Sequence, residues 1–181
     1  MNKTLRYAAI SGILAVGILI PFLFIELLRI LNIMGSEASV TTRLLLNIIT
    51  LIPLIFFLYG FKIIGDKTEN NQLKFAVYLF IIALIISRIY GGYTVLTKSN
   101  LSSASAAVPF AQYMAFGIIG ILFGIGILKL KKPLGNIAKT TGILAIISGI
   151  TYAILQTFGS FLVTPTYILL IILLFKASKK L

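Results

Sequence analysis

Long apolar stretches separated by short, mostly basic segments run the length of the chain, and they predict transmembrane helices rather than a soluble core. The first stretch runs from about Tyr7 to Leu31, the second from Leu44 to Ile64, the third from Phe75 to Leu96 and the fourth from Ala106 to Leu128. Each reaches the roughly 20 residues that a helix needs to cross hydrocarbon. Helices are the required form, because backbone groups in lipid must be satisfied within the segment and runs without alternating polarity do not suit barrel strands. The last stretch, Thr140 to Phe175, would be roughly 54 Å long as one helix, too long for a core about 30 Å thick. It is expected to fold back, at Phe158-Gly159-Ser160 or alternatively at Thr164-Pro165, into two short spans at 140–157 and 161–175.

Charge fixes the expected direction of each span. Of 16 Lys and Arg, those at Lys3, Arg6, Lys62, Lys67, Lys74, Lys129, Lys131, Lys132, Lys139, Lys176, Lys179 and Lys180 fall on one side of the six-span scheme. Arg29, Arg43, Arg88 and Lys98 are the exceptions. The positive-inside rule makes the basic side the cytoplasm. The expected fold is therefore all-α: a polytopic membrane protein of six transmembrane helices, arranged as three consecutive hairpins in a single domain over 1–181, with both termini inside. The plasma (cytoplasmic) membrane is the expected location. Lys3 and Arg6 before an apolar run resemble the start of a secretory signal, but a run of about 25 residues exceeds the usual 7–15 of a signal core, so the first span is read as retained.

Composition agrees with this reading. The chain is 59% hydrophobic and 11% charged, with mean hydropathy +1.08, whereas soluble domains run to about 45–50% and 25%. A net charge of +12 in such a chain sits in loops beside apolar spans, where anionic inner-leaflet lipid is the natural counter-charge, and nucleic acid is not an expected partner.

Internal similarity supports the hairpin scheme. Asn2-Lys3-Thr4-Leu5-Arg6-Tyr7-Ala8 aligns with Asn70-Asn71-Gln72-Leu73-Lys74-Phe75-Ala76, and Gly135-Asn136-Ile137-Ala138-Lys139 is a weaker third copy. Either the three hairpins form a parallel repeat about the membrane normal, or every helix leaving the cytoplasm starts under the same constraints.

Chemistry-bearing residues are few. His and Cys are absent, which removes thiolate and imidazole metal sites, haem ligation by His, and Ser-His or Cys-His nucleophiles. The carboxylates are Glu26, Glu37, Asp66 and Glu69, and only Glu26 lies within a span, so no intramembrane acid–base pair can be assembled. No catalytic residue, metal site or cofactor is expected, and the chain is not read as an enzyme.

Two groups of residues remain. Glu26, Asn47, Arg88, Gln112 and Gln156 are polar positions in the outer half of the spans. An arginine within a span costs about 2.5–3.5 kcal/mol on insertion scales, so Arg88 requires a reason: reaching the outer headgroups, pairing with Glu26, or serving a solute. The second group is Gly117, Gly120 and Gly124 in the fourth span, a small-residue strip on which another helix can pack, within the bundle or from a partner. It lacks the strand and the Lys-Ser/Thr ending of a phosphate loop. The expected function is an accessory or structural subunit packing with other membrane-protein subunits; the alternative is a small-solute transporter or substrate-binding membrane component with a polar site in its outer half.

Overall fold

The computed structural model describes the backbone of residues 2–30, 40–97, 103–155 and 159–181, and the side chains among these except at 19, 21–30, 40–47, 94–97, 103–107, 109 and 159–161. The described chain is helical: α1 (Lys3–Ile30), α2 (Val40–Lys67), α3 (Asn71–Thr97), α4 (Ser103–Leu128), the one-turn α5 (Lys131–Leu134), α6 (Asn136–Leu155) and α7 (Gly159–Lys180). Among the described residues, five helices are long and apolar enough to cross a membrane: α2, α3, α4, α6 and α7. This makes the chain a helical bundle of the multi-pass membrane type.

Local sequence explains where the helices begin and end. Asn2 caps α1, its Oδ1 accepting from Leu5 N at 3.3 Å, and Asn70 caps α3 by the same bond to Leu73 N at 3.1 Å. These are the paired asparagines of the first two sequence copies. The third copy has no cap side chain at that position; Gly135, with φ +75°, turns the chain between α5 and α6 instead. At the end of α2, Glu69 takes φ +54°, and the Asn70 and Glu69 amides bond back to Gly65 O and Asp66 O at 2.8 and 3.4 Å. This is the paired bonding of a Schellman stop. Two helices, α6 ending at Leu155 and α7 beginning at Gly159, divide the final apolar run; of the expected turn, Phe158 lies outside the described residues and Gly159 and Ser160 are already in α7, while Pro165 lies inside α7 and makes no turn. The two resulting helices have 20 and 22 residues, so the closing hairpin is longer than 140–157 and 161–175 allowed.

Each long helix packs on its neighbours in the order α1, α2, α3, α4, α6, α7, and α7 returns to α1, closing a ring. Four contacts gather the basic segments at one end of that ring. Asn2 N donates to Ser178 O at 2.7 Å, which joins the two termini. Lys67 Nζ donates to the Leu181 carbonyl. Asn70 Nδ2 donates to Gly126 O at 2.7 Å, tying the α2–α3 turn to the end of α4. Lys62 and Lys74 flank Asp66 at 2.6 and 3.6 Å.

That end is tightly packed. Leu5, Ala76, Ile127, Leu134, Leu173 and Ala177 are all fully buried there. The outward faces are the reverse, with Ile52 and Ile154 each 70% exposed, as lipid-facing residues should be. In lipid, where tails are as apolar as leucine, such helices are held by close packing and hydrogen bonds rather than by exclusion of water. The α4–α6 interface is the closest. A Cβ on Gly117 would lie 2.6 Å from Gly149 O, one on Gly124 2.8 Å from Gly142 O, and one on Gly149 2.7 Å from Gly117 O.

Candidate functional site

Away from the basic end the ring is not filled, and a partly open cavity of about 320 Å³ lies between five of its helices. Each helix contributes one face, read off at helical spacing. From α2 come Leu54, Phe57 and Leu58; from α3, Phe80, Leu84, Ser87 and Arg88; from α4, Phe116, Gly120 and Phe123. From α6 come Ala145, Ser148, Gly149 and Tyr152, and from α7 Val163, Thr166, Tyr167 and Leu170.

Aromatic rings form the floor and lower wall. Tyr167 lies 5.7 Å from Phe57, Phe57 5.5 Å from Phe61, Phe61 5.2 Å from Phe123, Phe123 5.6 Å from Phe80, and Phe80 6.1 Å from Phe116, centroid to centroid. Three of these pairs are edge-to-face, the arrangement the ring quadrupole favours. Five of the six rings line the cavity; Phe61, fully buried, joins them from behind.

Of the polar groups, Arg88 and Tyr152 stand farther from the basic end than Phe57, Phe80 and Phe123, level with Phe116, whereas Ser148 and Thr166 lie no farther from it than Phe57. Arg88 lies about 21 Å along α3 from Lys74, and Tyr152 about 20 Å along α6 from Lys139, whereas Phe57 is only about 15 Å from Lys67. Tyr152 and Tyr167 line the same cavity as Arg88. Tyr152 is held from the other side by Tyr113, ring to ring at 5.2 Å. Across the cavity, Ser148 Oγ and Thr166 Oγ1 are 2.6 Å apart, and both lie within hydrogen-bond range of Leu162 O. Those two hydroxyls can therefore spend their protons on protein acceptors.

Arg88 is thus half-buried on the cavity wall. Gln112, on α4, is also half-buried but does not line the cavity. The side chains of Glu26 and Asn47, and the whole of Gln156, lie outside the described residues. Gly117, Gly120 and Gly124 face α6 rather than the outside, and Gly120 also borders the cavity. On α1, Ala8 and Gly12 are likewise turned inward, against Gly60 and Phe57.

Sequence reasoning missed Ser87, Ser148, Thr166 and the phenylalanine floor. Tyr167 packs against the core, its ring beside Phe57. One available signal was the placement of Ser148 and Thr166 deep within their spans. Among the described residues no group of three or more His, Cys, Asp or Glu stands together as a metal site would require. Compared with family models, curated proteins and solved structures, the chain matches none.

Proposed function

We propose that this chain is a six-span protein of the cytoplasmic membrane, with both termini inside, whose ring of helices binds a small solute in its outer half, as a transporter or a substrate-binding membrane component does. The observation that carries this reading is the cavity. At about 320 Å³ it falls at the lower end of the roughly 300–1,000 Å³ of small-molecule sites, and it joins a largely apolar lining to a few convergent polar groups.

Support for six spans comes from α1, a 28-residue helix whose only ionisable side chains between Arg6 and Glu26 is the phenol of Tyr7. Support for the orientation comes from the gathering of both termini and the basic turns at one end. One support for the accessory-subunit reading is a small-residue strip open to a partner, and Gly117, Gly120 and Gly124 are occupied by α6.

Purification of the full chain from its own host in mild detergent, followed by solvent extraction and mass spectrometry, tests the proposal. A small molecule near one per chain is expected, and Ala145→Leu, which puts bulk into the cavity, should lose it. An empty wild type that instead brings down a stoichiometric partner chain would favour the accessory-subunit reading.

A further inference from the structure

We infer that the solute has an aromatic body, one ring or a fused pair, which packs among the rings that line the cavity. The inference rests on the binding reading above and adds the chemical class.

The make-up of the wall is the first argument. Phe57, Phe80, Phe116, Phe123, Tyr152 and Tyr167 are six of the 18 lining residues, a third, in a chain that is 12% aromatic. No isoleucine is among the described lining residues, although isoleucine dominates the outward faces. The contrast is plainest on α3, where Phe80 and Leu84 line the cavity while Ile82, Ile86 and Ile89 are 54%, 61% and 68% exposed. Branched side chains thus meet the lipid tails and planar ones meet the cavity. The wall is not a continuation of the lipid-facing surface, and a ring rather than an acyl chain is its matching occupant.

Geometry is the second argument. Among the lining rings, Phe80 meets Phe123 edge-to-face, and the Phe57–Tyr167 and Phe80–Phe116 pairs are tilted by 42° and 41°. A further ring entering such a cluster finds faces and edges at several angles, and each pair is favourable beyond the area it buries. Gly120, Ala145 and Gly149 line another stretch of wall with nothing longer than a methyl group. A Cβ on Gly120 would lie 3.3 Å from Gly149 Cα, so the two backbones come together there and leave a flat surface for a flat body. Size is the third. At about 320 Å³ the cavity is near the lower limit for small-molecule sites, which suits one or two rings and not a nucleotide or a whole lipid. Arg88 interacts within the protein, and Ser148 and Thr166 are in hydrogen-bond range of each other and of Leu162 O, so no part of the ligand is assigned to these groups.

The test uses the full chain in detergent, with detergent alone as the blank, and two matched pairs of neutral probes. These are benzyl alcohol with cyclohexylmethanol, and naphthalene-2-methanol with its fully hydrogenated counterpart. The saturated member of each pair is the more apolar, so exclusion from water alone would favour it. Binding is read by calorimetry and by thermal shift. The aromatic member is expected to bind the wild type roughly fivefold tighter than its saturated counterpart. Phe80→Leu and Phe116→Leu keep bulk but lose a ring at half-buried positions. Each should cut that preference by about twofold or more while leaving the saturated affinity within about twofold. Saturated probes that bind the wild type as tightly as the aromatic ones, a comparison that needs no variant, would overturn the aromatic assignment and leave the binding reading standing. A preference unchanged in both folded variants would do the same. Failure of every probe is decided by host-purified protein: a bound aromatic molecule upholds the assignment, a bound molecule without an aromatic ring overturns it, and no bound molecule removes the binding reading itself.

Discussion

The strip on α4 yields the sharpest structural prediction, because two of its glycines are four residues apart and meet different surroundings. A methyl group at Gly124 would lie 2.8 Å from Gly142 O and 2.9 Å from Ile146 N, both backbone atoms of α6, and 2.7 Å from Ile146 Cγ1. Backbone cannot rotate away, so α6 must move. A gap of about 0.5–1 Å forfeits a quarter to a half of the dispersion well at each contact it opens. Overpacking of this kind costs about 1–3 kcal/mol, and alanine's better helix propensity returns about 0.8–1 kcal/mol. Three atoms are met at once and two of them are backbone, so the upper part of that range, about 2–3 kcal/mol, applies, and the net expectation for Gly124→Ala is a loss of about 1–2 kcal/mol. At Gly120 the nearest atom is Gly149 Cα at 3.3 Å, a contact relieved by a shift of a few tenths of an ångström, so Gly120→Ala should stay within about 0.5 kcal/mol of wild type. Gly17, with nothing within 4 Å of its added methyl, is the control and should be neutral or slightly stabilised. Reversible unfolding in mixed micelles, followed by circular dichroism, reads all three. Gly124→Ala as stable as wild type, or Gly120→Ala the worse of the two, would refute the close α4–α6 contact.

Other predictions follow from single interactions. Phe61→Ala removes a fully buried ring that touches Phe57 and Phe123. A soluble core would lose about 3–5 kcal/mol, but in lipid the transfer contribution largely cancels, so about 2 kcal/mol is expected in the same unfolding assay. Asn70→Ala loses both the α3 cap and the bond to Gly126 O, a cost of about 1–3 kcal/mol, whereas Asn2→Ala loses only a longer cap bond, a cost of about 0.5 kcal/mol. Hydrogen exchange should localise the Asn70 effect to the first turn of α3.

Much of this architecture is legible in the sequence, and the remainder is hidden for a physical reason. Span positions follow from length and apolarity alone, and the Asn2 and Asn70 copies have the same capping geometry because the same residue meets the same exposed amides. The side of each helix that faces inward is another matter. In a soluble helix polar residues mark the outer face, but here both faces are apolar: Ile86, pointing to lipid, and Leu84, lining the cavity, are alike in hydropathy and two residues apart. Ring closure was illegible for the same reason, since α7 reaches α1 through shape and not through any pattern of charge. Arg88 stood out because an arginine in a span is rare. Ser148 and Thr166 did not, because single hydroxyls within spans commonly serve only to bond helices together. The glycine strip was visible on α4, but its partners Gly142 and Gly149 on α6 are set seven residues apart, a spacing that attracts no notice without the neighbouring helix.

The central claim is a cavity entered from the outer side with Arg88 on its wall. The absence of native cysteine makes a direct measurement possible. In sealed vesicles of known orientation, Ser87→Cys should react with small membrane-impermeant methanethiosulfonate reagents applied from the outside, while Ile82→Cys on the lipid face stays unreactive. A folded Ser87→Cys that reacts only from the inside, or not at all from the outside, would contradict the account.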